Sequence, residues 1–261
     1  MKVAAAQIDC ALGDIDANVR KMRDFCARAK ENGVELIVFP EAADTGYSMP
    51  VIRAQAKPWT EGAVPALQKM AQEFSLIVVS GVSERAGGVI YNSQVFVDAS
   101  GGIAASYRKT HLFALPPNDE RTCFAPGDAF ASAAASGFRF GLSICYDLRF
   151  PEVYRKLALE YESNVLIISS AWPFPRIEHL RTLTIARAIE NQSYVILANR
   201  VGVDDGVKCC GISAIIDPYG TTLASASTDR EELIEAEISK EAIAAVREKI
   251  PLFAHRRRDL Y

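Results

Sequence analysis

FRFGLSICYDLRFPE, residues 138–152, is the stretch whose reading decides the fold. Phe138, Phe140, Leu142 and Ile144 alternate with Arg139, Gly141 and Ser143, the two-residue period of a strand that buries one face. The alternation stops at Cys145. Asp147 is then placed to cap a helix running through Pro151, Glu152 and Val153 toward Glu162, with proline in its first turn. A cysteine in the turn between a core strand and a helix start is held still and presented to a cleft, as in a nucleophile elbow. Nearby backbone N–H groups and the positive end of the helix dipole would favour its thiolate. An inert buried thiol is the alternative.

Working outward, VELIVF (34–39) reads as a buried strand that Pro40 stops, leaving Glu41 at its C-terminal end and a loop, EAADTGYSMP, beyond it. Before it lie a strand at 2–8 and a helix over 14–32, with Ile15, Val19, Met22, Phe25, Cys26 and Ala29 at helical spacing and Gly33 past its end. After it come a helix near 61–74, a strand SLIVVSGV, a hairpin of 89–98 with 102–107, and a long polar, proline-containing loop over 108–128. Downstream of the elbow the pattern predicts strands at 164–170 and 193–199 around a helix at 177–191. Two or three more strands (from GISAIID, GTTLASAS and ELIEAEI) and a helix at 239–249 follow. Strands alternate with helices but hairpins interrupt them. One α/β domain over residues 1–261, with mixed sheets covered by helices, is therefore predicted, its site at the C-terminal ends of strands.

The chain has 261 residues, 49% hydrophobic and 23% charged, with a net charge of -3, so neither a nucleic-acid nor an anionic-membrane partner is expected. The opening MKVAAAQIDC is too short and polar for a signal peptide, and no later apolar run is long enough to span a bilayer. Cysteines 10, 26, 123, 145, 209 and 210 form no CxxC pair, which points to a reduced, cytoplasmic protein. Histidines 111, 179 and 255 are scattered, so no metal site is expected.

Three polar residues stand out. Glu41 directly follows an apolar strand; pointed into a cleft, its carboxylate would serve proton transfer. Lys109, in YRKTHLF, is flanked by Tyr107, Leu112 and Phe113, which pack the segment down and make the ammonium a ready partner for an oxyanion. Glu120, in NDERTCFAPGD, reads from spacing alone as a solvated loop residue. A competing dyad would pair Cys145 with His111.

Together, VFPE with Glu41, YRKTHLF with Lys109 and SICYDLRFPE with Cys145 resemble the nitrilase (carbon–nitrogen hydrolase) superfamily. The likeness extends through AWP (171–173), IARAIENQSYVILAN (185–199), GISAIIDPYG (211–220) and the terminal RRRDLY. It implies a four-layer α-β-β-α sandwich with two mixed sheets and a Glu41–Lys109–Cys145 triad that needs no metal or cofactor. It also implies a second glutamate six residues before the proline of a PGD turn, which makes Glu120 catalytic. Tyr146 and Asp147 stand where true nitrilases carry Trp-Glu, so the resemblance favours the amide-hydrolysing branches. An N-carbamoyl amide hydrolase and a non-catalytic binding scaffold are the alternatives.

The implied reaction passes through a cysteine thioester, with the oxyanion held by Lys109 and the backbone N–H of Tyr146. Tyr47 and Trp172 would wall the pocket; Arg176 reads as a solvated arginine, with contact to a substrate carboxylate, as an ω-amidase would require, as its alternative role. A homodimer is implied as well, with Val153, Tyr154, Leu157 and Leu183 near its two-fold axis.

Overall fold

The structure, a computed structural model, describes residues 1–260. In chain order the strands are β1 (Lys2–Gln7), β2 (Leu36–Val38), β3 (Ile77–Ala86), β4 (Val89–Val97), β5 (Ile103–Arg108), β6 (Ser132–Ala135) and β7 (Phe138–Ile144). They continue with β8 (Val165–Ser170), β9 (Tyr194–Asn199), β10 (Val203–Asp204), β11 (Val207–Lys208), β12 (Ala214–Ile216), β13 (Thr222–Ser225) and β14 (Glu232–Glu237). The helices are α1 (Ile15–Glu31), α2 (Met49–Gln55), α3 (Ala63–Phe74), α4 (Pro151–Leu159), α5 (Ile177–Asn191) and α6 (Lys240–Lys249).

Two six-stranded sheets form, ordered β14-β1-β2-β3-β4-β5 and β13-β12-β9-β8-β7-β6. Each has a parallel centre, β1-β2-β3 in one and β7-β8-β9 in the other, flanked by antiparallel strands. The period-2 alternation explains how they stack. Val3, Ala5, Leu36, Val38, Val79 and Phe96 of the first sheet meet Phe140, Leu142 and Ile144 of the second in one buried layer. Phe96 and Phe140 lie ring to ring across it, centroids 5.5 Å apart.

The intervening residues of the first sheet, Ala4, Ala6, Ile37, Val78 and Val95, face outward onto Met22, Phe25 and Cys26 of α1 and Leu67 and Met70 of α3. On the second sheet the outer face of β7 carries Gly141 and Ser143. The Ser143 hydroxyl lies 2.9 Å from the Tyr154 hydroxyl of α4, which seats that helix on the strand. The four-layer α-β-β-α sandwich is thus the consequence of alternation on both faces.

Some local expectations are corrected. Residues Cys145–Arg149 form a short 3-10 turn, and α4 begins only at Pro151 with Phe150 as its N-cap. Pro151 has no N–H to donate and fits the first helical position, so the helix starts there and ends at Leu159, short of Glu162. Asp147 caps the 3-10 turn instead, its Oδ2 accepting from the Ile144 N–H at 2.9 Å. The stretch read as loop after Glu41 ends in α2, too short at seven residues to announce itself by periodicity. Val153, Tyr154 and Leu157 are buried against their own sheet, so α4 cannot offer them to a partner; of the four residues assigned to that face only Leu183 is partly exposed.

Phe140 sits at the centre of the inter-sheet layer with no exposed surface. Phe140→Ala is expected to cost about 3–5 kcal/mol in denaturant unfolding. A loss below about 1 kcal/mol would contradict the packing described.

Candidate active site

Strand ends deliver the polar residues to one place. The Phe39 N–H still pairs with Val79 across to β3, and then Pro40 ends β2. The turn bearing Glu41 lies directly on Gly81 of β3. A side chain at Gly81 would place its Cβ 2.5 Å from the Pro40 oxygen and 2.6 Å from the Glu41 Cα, so glycine alone lets the turn approach. Lys109 follows β5 directly. Its N–H donates to the Asn92 carbonyl and its carbonyl accepts from the Gly127 N–H, each at 2.8 Å, which keeps the segment fixed. Cys145 directly follows β7 at φ +43°, a left-handed conformation costing a non-glycine residue about 1–3 kcal/mol.

The charges meet beneath the cysteine. Lys109 Nζ donates to Glu41 Oε1 at 2.7 Å and to Glu120 Oε1 at 2.8 Å, and all three side chains are completely buried. Asn92 Nδ2 donates to the same two oxygens at 2.7 and 2.9 Å. The Tyr47 hydroxyl donates to Glu120 Oε1 at 2.8 Å, and the Phe113 N–H to Glu120 Oε2 at 2.6 Å. The Ala171 N–H, just past β8, donates to Glu41 Oε2 at 2.9 Å. Two carboxylates on one ammonium leave an excess negative charge out of water, and these neutral donors are what make it tolerable.

Burial alone would depress the Lys109 pKa, but Glu120 and Glu41 outweigh it, so the ammonium is held charged. Burial pushes the Glu120 carboxyl up, helped by Glu41 and opposed by Lys109. The Tyr47 phenol is pushed well above its ordinary value by burial and by both carboxylates, so it remains a donor.

Cys145 departs from expectation. Burial and the neighbouring Glu41 push its thiol well above the ordinary value, against the opposing pull of Lys109, the Ser170 hydroxyl and the Ala171 N–H. A five-residue 3-10 turn brings little dipole, and burial with the Glu41 anion outweighs Lys109, so the resting sulfur keeps its proton.

Cys145, Tyr146, Tyr47 and Trp172 line a cavity of about 240 Å³, together with Arg149 and Arg176. The Trp172 ring is fixed by its Nε1–H donating to the Arg176 carbonyl at 2.9 Å. His111 goes elsewhere: its Nδ1 lies 3.0 Å from Asp147 Oδ1 and its ring stacks on Phe150, so the Cys145–His111 dyad does not form. Sequence reasoning missed Asn92 and Arg149. Asn92 opens the polar stretch Asn92-Ser93-Gln94 in the middle of β4, and an unfavourable strand residue there was a signal. Arg149 lies over the Trp172 ring, 4.6 Å from its centroid. Burial and the charge of Arg176 both lower its pKa. Among the described residues neither arginine is paired with a carboxylate, and no group of three or more His, Cys, Asp or Glu side chains is arranged to hold a metal ion.

Residues 2–248 match the carbon-nitrogen hydrolase family. The chain is 36% identical over 260 residues to a 2-oxoglutaramate amidase of Bacillus subtilis strain 168, covering 99% of this chain and 98% of the relative. It is 36% identical over 231 residues to an (R)-stereoselective amidase of Pseudomonas sp, covering 88% and 82%. A carbon-nitrogen hydrolase structure from Helicobacter pylori G27 superposes with a TM-score of 0.91 at 28% identity, covering 100% of this chain and 97% of that one. This chain belongs to the carbon-nitrogen hydrolase family.

A thiol whose pKa lies well above 9 gains thiolate about tenfold per pH unit through the alkaline range. Alkylation of Cys145 by iodoacetamide, followed by peptide mass spectrometry, is therefore expected to accelerate still at pH 9. A plateau below pH 8 would contradict the environment described.

Proposed function

We propose that this protein is an amidase that hydrolyses a small carboxylic amide to the acid and ammonia through a thioester on Cys145. The observation that carries this reading is the buried Glu41–Lys109–Glu120 cluster placed beside a protonated thiol in a small cavity. Glu41 takes the Cys145 proton as sulfur attacks the amide carbonyl. The Lys109 ammonium and the Tyr146 N–H hold the resulting oxyanion. Glu41 then protonates the departing ammonia and activates the water that cleaves the thioester. Glu120 keeps Lys109 charged and aimed. The amidases among the relatives support the same reaction.

Two arginines without carboxylate partners in an aromatic-walled cavity support a substrate that brings its own carboxylate, an ω-amide of a short dicarboxylic acid. A relative named for 2-oxoglutaramate agrees with that choice. We read the chain as one domain that works as a homodimer in a reducing compartment. Exposed Ile189 of α5, which lies against Gly220 beside exposed Tyr219, supplies an apolar face for the dimer, and the unpaired cysteines fit the compartment.

The test is ammonia release from a panel of neutral short amides, dicarboxylic ω-amides and carbamoyl compounds. The ω-amides are expected to be turned over best, without CO2. Preferred turnover of carbamoyl compounds with CO2 release would overturn the reading. Arg149→Ala is expected to raise KM for ω-amides at least tenfold and leave neutral amides nearly unchanged; equal effects on both would remove the carboxylate contact. Lys109→Gln is expected to lower kcat by about 10²–10³-fold, as for a lost oxyanion donor. A change confined to KM would contradict that role.

A further inference from the structure

We propose that Asp147 is a positioning residue for the reaction: one buried carboxylate that fixes the distance between the Cys145 sulfur and the Lys109 ammonium. The proposal rests on the amidase reading and adds to it a part that the triad does not contain.

Cys145 and Lys109 come from different sheets. Lys109 follows β5, at the edge of the first sheet, and Cys145 follows β7 in the second. No ladder joins those strands, so their relative placement needs another device. Asp147, with no exposed surface, supplies it. On the cysteine side its Oδ2 accepts from the N–H of Ile144, the residue before the nucleophile, at 2.9 Å.

On the lysine side the same carboxylate takes the residues that bracket Lys109. The Tyr107 hydroxyl donates to Oδ2 at 2.8 Å, and the His111 N–H donates to Oδ1 at 3.2 Å. His111 Nδ1 and the Thr110 hydroxyl stand 3.0 and 3.4 Å from that Oδ1. Tyr107 is itself buried, and burial together with Asp147 pushes its phenol well up, so it stays a donor.

Two consequences follow. Oδ2 is engaged from both sides and Oδ1 from the lysine side alone, so the carboxylate cannot shift toward one sheet without losing bonds to the other. The bond to Ile144 also offsets part of the strain of the left-handed Cys145, since it closes the turn in which that conformation occurs. Asparagine at 147 would keep the size but present an NH2 group to donors that need an acceptor.

The experiment compares wild type with Asp147→Asn and Tyr107→Phe, with kcat expressed per folded site, the folded fraction being taken from circular dichroism and size-exclusion chromatography, so that unfolded enzyme does not count. Asp147→Asn is expected to lower kcat per site at least 30-fold with KM changed less than threefold. Tyr107→Phe, which removes one donor, is expected to lower it about three- to tenfold. As a readout independent of turnover, alkylation of Cys145 at pH 9 is expected to slow several-fold in both variants, because a retreating Lys109 lowers the thiol pKa less. If Asp147→Asn fails to fold, Tyr107→Phe decides by the same measures. Unchanged kcat per site, or a loss seen only in KM, overturns the proposal while leaving the amidase reading intact. Should the wild type turn over no amide, the alkylation profiles decide alone: unchanged or accelerated alkylation overturns the proposal.

Discussion

Everything in the site hangs on an ammonium buried between two carboxylates. Lys109 touches Glu41 and Glu120 at hydrogen-bond distance with none of the three reaching water. Removing one member would leave charge stranded in a low-dielectric interior, a loss of about 3–5 kcal/mol for buried pairs generally. The cluster is thus a constraint as much as a catalyst. Asn92, Tyr47, Phe113 and Ala171 must each aim a donor at it, and these groups come from β4, the loop after Glu41, the 108–128 loop and the end of β8.

The stacked sheets make that convergence affordable. Each sheet ends its central strands on the same side, and each carries its own part of the chemistry: Glu41 and Lys109 on one, Cys145 and Ala171 on the other. Hydrogen bonds across the layer tie the two halves, from the Ser169 hydroxyl to the Phe39 carbonyl and from Gln94 to Ser169. A dry layer of Phe96, Phe140, Leu142 and Ile144 lies between the sheets and excludes water from the inner side of the site. Burial, together with the neighbouring Glu41 carboxylate, explains why the thiol rests protonated, and a protonated thiol needs the base that Glu41 provides.

Much of this was legible in the residues. The alternation in 138–144 and the proline stops after Phe39 and before Glu152 gave the strands, their ends and the place of Glu41 and Cys145. Glu120 was not legible from spacing, because nothing local distinguishes a buried loop glutamate from a solvated one; only the resemblance raised it. Asp147 was misread as a cap for α4 because a 3-10 turn and a helix start share the same capping chemistry. The state of the Cys145 thiol was misread because the local argument from helix dipoles could not see a carboxylate contributed from residue 41, more than a hundred positions away. Arg149 acts through neighbours in space, and its spacing in the chain carries no trace of that; for Asn92 the trace is only a poor strand former inside β4.

The most direct test is intact-protein mass spectrometry of acid-quenched enzyme mixed with an amide substrate, followed by peptide mapping. The account requires an acyl adduct on Cys145 that forms and decays in the wild type and is absent in Cys145→Ala. Turnover without any adduct on that residue, or with the acyl group on another side chain, would contradict it.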